Sequence, residues 1–183
     1  PSFGYYFEAF WMEPRGMTYQ LNSHQTNSLL APPLPAQTIA YNESFWTKAD
    51  QNAVGRLLEI LKTAQNQKPA NLAERLMVKA RLKKQAPRDL MVIGSYYSRA
   101  RNNWGVTMQK ANDWATGQKH LEKALELNPD NLVASINLDY SKQHQAGKTM
   151  PDPFTEDVED LFGRYRSWDQ LMNENGPFDE PRF

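Results

Sequence analysis

The stretch Ser98–Asn131, SRARNNWGVTMQKANDWATGQKHLEKALELNPDN, decides how this 183-residue chain is read. Its end is the most informative part. Glu122-Lys123-Ala124-Leu125-Glu126-Leu127 is rich in good helix formers, and Asn128-Pro129 stops it, because proline lacks an N–H and clashes with the preceding turn. Upstream, Asn112-Asp113 divides the pattern into two helices, with Trp114 just past the turn. Trp104, Met108, Leu121, Ala124 and Leu125 supply an apolar seam between them, each large side chain contributing ~1.5–3 kcal/mol if fully buried. Gly105 on the first helix and Gly117 on the second each cost ~1 kcal/mol of helix propensity against alanine. The expected return is close approach of the two backbones.

In length and in the placement of these residues, the stretch resembles the tetratricopeptide repeat (TPR). Gly105 falls on that family's small first-helix position and Gly117 on the small position of the second. Leu121 and Ala124 match the apolar positions that follow, Trp114 an aromatic commonly kept in the turn, and Pro129 the closing proline. Arg101 and Met108 depart from the pattern, standing where the family favours aromatics, and the apolar run Leu90–Tyr97 extends the first helix upstream. A second unit opens with Ala134, Asn137 and Leu138, 34 residues after Ala100, Asn103 and Trp104. It then fails, because Thr155, Val158 and Gly163 stand where Leu121, Ala124 and Pro129 should recur. The likeness is therefore strong over 98–131 and partial over 132–147.

The resemblance implies a mainly α fold, a fragment of an αα superhelix of TPR-like hairpins, and a non-enzymatic interaction module that binds a protein or peptide partner. In that family the inner surface of the first helices clasps extended peptides, often through asparagines that bond the ligand backbone. The matching positions here are Arg99, Asn102, Asn103, Val106, Gln109 and Lys110, then Val133, Ile136, Asn137 and Tyr140. Asn103 and Asn137 are expected to recur on one side of the groove; the alternative is that these asparagines bond neighbouring helices or water. Trp104, Gly105, Trp114, Gly117, Leu121, Ala124 and Pro129 take structural positions. Such repeats need stacked neighbours. The segments 43–86 and 155–175 are thus expected to be helical hairpins acting as caps, unless the protein continues past residue 183.

Outward from this stretch the character changes. Tyr5, Tyr6, Phe7, Phe10, Trp11 and Tyr19 form an aromatic, strand-favouring opening. Glu13-Pro14-Arg15-Gly16 fits a type I turn, and Met17, Tyr19 and Leu21 alternate with polar residues as in a half-buried strand. Residues 1–42 therefore read as a β-hairpin followed by an extended connector through Pro32, Pro33 and Pro35. Residues 43–87 read as a helical hairpin, its first helix carrying a stripe of Ala49, Ala53, Leu57, Ile60, Leu61 and Ala64. Its second helix carries Leu72, Leu76, Met77 and Ala80 and stops at Pro87. Residues 88–147 hold the TPR-like unit and its partial successor. The acidic remainder, 148–183, carries a stripe of Val158, Leu161, Phe162 and Tyr165, and then a short helix that Ser167 and Gln170 open as a capping box. Gly176-Pro177 ends that helix.

Composition removes several functions. Twenty-one basic and 21 acidic residues cancel, leaving no net positive field for nucleic acid. Basic residues nevertheless crowd 75–110, where only Asp89 opposes them, and the C-terminal segment is acidic; this reads either as two solvated faces that attract each other or as a basic docking surface for an anionic group. The chain has no cysteine, which excludes disulfides and thiolate chemistry. His24, His120 and His144 show no metal-ligand spacing, so no metal or other cofactor is expected. No apolar run approaches the ~18–20 residues of a membrane span, so this segment is expected to make no membrane contact. No nucleophile elbow, phosphate loop or dinucleotide motif is present.

A second, broader resemblance runs through the order of these parts. The Glu-Pro-Arg-Gly turn, Ser44-Phe45-Trp46, Arg101–Val106 and Asn175–Pro181 together look like the soluble C-terminal region of multi-pass bacterial membrane proteins related to lipid-linked-sugar glycosyltransferases. That resemblance implies an extracytoplasmic location, with any catalysis outside this segment. Without it, a cytoplasmic location is expected.

Overall fold

A computed structural model of the chain describes residues 10–24, 32–66, 87–147, 165 and 167–177. The fold is mainly helical with one two-stranded antiparallel hairpin. The chain divides into two compact units, residues 1–51 and residues 52–183.

In the first unit, strand β1 (Phe10–Arg15) pairs with β2 (Thr18–Ser23), with Phe10 opposite Ser23 and Arg15 opposite Thr18. The turn therefore lies at Gly16-Met17, two residues beyond the expected Glu-Pro-Arg-Gly turn, and Pro14 is a strand residue opposite Tyr19. Gly16 has φ +66, and glycine at the first central position is what a two-residue type II′ turn requires. That turn matches the twist of the flanking strands, whereas a type I turn splays them.

Met17, Tyr19 and Leu21 do not face a core: they are 39, 43 and 55% exposed. The hairpin is instead held by polar groups of helix α1 (Ala36–Ala49). Buried Asn42 accepts from Gly16 N at 2.7 Å and donates to the Pro14 carbonyl at 2.9 Å. Thr38 donates to the buried Glu13 carboxylate, which also takes Asn22 Nδ2 at 2.9 Å and pairs with Arg15 at 3.0 Å.

Helix α1 starts directly after Pro35, within the segment expected to be an extended connector up to residue 42. Proline at the cap is pre-set for a helix entry. The inward positions at four-residue spacing are Thr38, Asn42 and Trp46, two of them polar, so no apolar period announces this half of the helix. A π turn follows at Asp50–Val54. In the second unit, α2 (Gly55–Asn66) buries Leu57, Leu58 and Leu61, whereas Ile60, expected in the stripe, is 47% exposed.

Among the described residues the second unit continues with α3 (Arg88–Lys110), α4 (Trp114–Leu127), α5 (Leu132–Gln145) and α6 (Trp168–Asn175). Helices α3 and α4 form the main packed pair, α5 packs on both, α2 packs on both from another side, and α6 lies on α3 and α5. The two glycines sit where α3 and α4 touch. A Cβ on Gly105 would lie 2.9 Å from Leu121 Cγ and 3.1 Å from the Gly117 carbonyl, and one on Gly117 would lie 2.9 Å from the Gly105 carbonyl. Gly94, eleven residues before Gly105 on the same helix, repeats the contact against the Leu127 carbonyl at 2.9 Å.

Trp104, Met108, Leu121 and Ala124 are buried as the seam requires, while Leu125 is only half-buried and Leu127 takes the inner place. Asp113 caps α4 by accepting from Thr116 N, and Asn131 caps α5 by accepting from Ala134 N. Ser167 caps α6 by accepting from Gln170 N at 3.2 Å. The expected helix over 71–86, the aromatic opening at Tyr5–Phe7, and Val158, Leu161 and Phe162 lie outside the described residues.

Candidate functional site

The surface formed by α3 and α5 is lined with asparagine amides, and these hold main chain. Asn102, fully buried, donates from Nδ2 to the carbonyls of Asn175 (3.2 Å) and Pro177 (2.9 Å). Asn137, 1% exposed, donates to the same Pro177 carbonyl at 2.9 Å and to Asn102 Oδ1 at 2.9 Å. Asn131, also fully buried, donates to the Asn175 carbonyl at 3.1 Å and to Ser98 Oγ at 2.9 Å. Arg99 adds a charge-assisted bond to the Asn173 carbonyl at 2.5 Å. Three consecutive odd-numbered carbonyls, 173, 175 and 177, are thus read by three asparagines and one arginine.

The segment so held is shaped for the surface. Leu171, 1% exposed, packs on Val133, with Ile136 and Tyr165 beside it. Gly176 adopts φ +99, ψ −179, a region that only glycine enters readily. Space points the same way: a Cβ there would lie 2.6 Å from both Asn102 Nδ2 and Asn103 Oδ1. Within α6, Asn175 Nδ2 donates to the Leu171 carbonyl and Gln170 to Glu174, and Asn175 Nδ2 also donates to the hydroxyl of Tyr165 just before the helix. Met172 is 40% exposed on the outer side.

Of the residues expected to line a groove, Arg99, Asn102 and Asn137 are brought together in this clamp. Asn103 is half-buried with its Oδ1 against Gly176, and the residue that bonds Asn137 is Asn102, at a spacing of 35 and not 34. Gln109, buried, donates to the Asn137 carbonyl at 3.3 Å and so ties α3 to α5. Val106 is a core residue, 2% exposed, and Lys110 is exposed at the end of α3. Tyr140 belongs to a separate aromatic cluster, 5.8 Å from Trp114, which stacks on His144 at 3.7 Å.

Asn131 and Ser98 complete the clamp without having been singled out among the groove positions. Asn131 carries the sequence signal of a helix cap, between Pro129 and an apolar run. Its amide group does both tasks, the oxygen capping α5 and the nitrogen holding Asn175. A cavity of about 400 Å³ adjoins the clamp, lined in part by Val92, Tyr96, Arg99, Asp130 and Tyr165.

Elsewhere on α3, buried Arg101 donates to Nδ1 of buried His120 at 2.7 Å, so a polar pair fills the place where an aromatic was expected. On α4, burial acts to raise the pKa of Glu126, but the ammonium groups of Lys62 (3.1 Å) and Lys123 (3.2 Å) outweigh it and hold the carboxyl below its ordinary value.

Among the described residues no group of three or more His, Asp or Glu side chains is placed to hold a metal ion, and no helix is long and apolar enough to cross a membrane. No family model, curated protein or solved structure matches the chain.

Proposed function

We propose that the chain is a non-enzymatic, TPR-like interaction module whose α3–α5 face binds a peptide segment of a protein partner. The observation that carries this reading is the row of buried asparagine amides bonded to the carbonyls of residues 175 and 177. Side-chain amides aimed at main-chain carbonyls recognise a chain whose carbonyls lack internal partners, as at a helix end, with little regard to its side chains, which suits peptide capture. Stacking of α3, α4 and α5 around close glycine contacts gives that face a rigid backing. A rigid, pre-arranged donor row lowers the ordering cost of binding.

The test is selection of peptides from a displayed random library on the full chain, followed by titration against Asn102→Ala/Asn137→Ala. Selected peptides should bind the double variant at least tenfold more weakly. Failure to select any peptide, or equal binding by a folded double variant, contradicts the reading.

A further inference from the structure

The clamp is already filled by the chain's own Leu171–Pro177, and the way it is filled describes what the site accepts. Four hydrogen bonds from Asn102, Asn131 and Asn137 to this segment end on main-chain carbonyls, at residues 175 and 177. Among the described side chains, selectivity is exerted at Leu171, against Val133 and Ile136, and at Gly176, in a backbone conformation and a space that exclude a Cβ. The helix that presents them is eight residues long, capped by its own Ser167 and closed by its own Asn175, with Met172, Asn173 and Glu174 turned to solvent. So short a helix is not stable alone and depends on its dock. A self-contained element attached through main-chain bonds and one apolar anchor is built as a peptide ligand is built.

Resting on the peptide-binding reading above, we infer that Leu171–Pro177 is an intramolecular pseudo-ligand of the asparagine clamp, and that the clamp's partner is a segment of the same chemistry, Leu-x-x-x-Asn-Gly-Pro. An apolar side chain fills the Val133–Ile136 site, and glycine five residues later allows the chain to pass between Asn102 and Asn103. The two carbonyls flanking that glycine then accept from Asn102, Asn131 and Asn137. A partner must displace the intramolecular copy. Departure without replacement strips the bonds to the carbonyls of 175 and 177 and uncovers Leu171 and Val133, so exchange for a like segment is favoured over simple opening.

The test uses the full chain and a labelled synthetic peptide of residues 165–180, read by fluorescence anisotropy. The probe should bind wild type weakly. Gly176→Val in the chain, which weakens its own copy, should tighten probe binding at least tenfold, and Leu171→Ala should act in the same direction. A probe carrying Gly176→Val should not bind any form, and Asn102→Ala in the chain should remove the gain.

A folded Gly176→Val chain that ignores the probe overturns the inference, as does equal binding of the glycine-substituted probe. Loss of fold in both chain variants overturns it too, because the segment is then an inseparable part of the core. If library peptides without the Leu and Gly-Pro positions bind the clamp while this probe does not, the pseudo-ligand fails and peptide binding stands. If nothing binds the opened chain, both fail.

Discussion

The α3–α4 interface and the α6 dock are both buried, yet they are held by opposite means. Between α3 and α4, glycine lets carbonyl and side chain approach to contact distance, and Trp104, Met108, Leu121 and Ala124 close the space with apolar atoms. At α6 the buried apolar anchor is Leu171, and the hydrogen bonds that attach the segment run from amide and guanidinium nitrogen to carbonyl oxygen. Apolar area stabilises in proportion to its extent, roughly 25 cal/mol per Å². A hydrogen bond made in place of one to water adds only about 1 kcal/mol net. The first interface is accordingly the frame of the second unit, and the other is the attachment inferred above to be exchangeable.

The contrast is broken most severely at Leu121. It is fully buried, and Leu121→Ala should lower stability by about 2–5 kcal/mol, lost transfer energy plus a cavity, measured by urea unfolding. Gly105→Val approaches the same interface from the other side. Its Cβ meets Leu121 and the Gly117 backbone, and backbone cannot swing aside, so about 1–3 kcal/mol should be lost and the helical signal should melt at lower temperature.

Asn102→Ala should act differently. It removes one of two donors from each of the carbonyls of 175 and 177, and an acceptor of Asn137 Nδ2, at a cost of roughly 1–3 kcal/mol. That loss should fall on α6, visible as faster amide exchange there, with little change in α3–α4. Equal loosening of both regions would erase the distinction.

How far each region can be read from the sequence follows the same division. Gly105, Gly117, Leu121 and Ala124 announce their packing because a close helix contact demands small residues at fixed positions. The asparagine face is legible as a row of donors, Asn102 and Asn137 included. Its occupant is not, since a carbonyl belongs to every residue and leaves no compositional trace. Gly176-Pro177 is readable as the stop of a helix, but its passage between Asn102 and Asn103 depends on contacts more than seventy residues apart in the chain.

The first unit repeats the point. Its hairpin is recognisable, but Thr38 and Asn42 hold it where apolar residues were expected, and polar inward positions hide the start of α1 from any hydrophobic period.

The smallest expected effect concerns the outer edge of the frame. Glu126, with its pKa lowered by Lys62 and Lys123 against the opposing effect of burial, binds protons less readily folded than unfolded. Its contribution is therefore present above the unfolded carboxyl pKa and disappears as pH falls through the lowered folded value. The side chain is 35% exposed, so screening keeps this below about 0.5 kcal/mol. Glu126→Gln should flatten the acid limb of the urea midpoint by no more than that amount.

Hydrogen–deuterium exchange on the unmodified full chain tests the central claim most directly. If α6 is an exchangeable attachment on a rigid frame, amides of Leu171–Asn175 should exchange at least a hundredfold faster than those of Trp104–Gln109 and Leu121–Leu127 while the frame stays protected. Equal protection of all three stretches, lost together in one cooperative event, would contradict it.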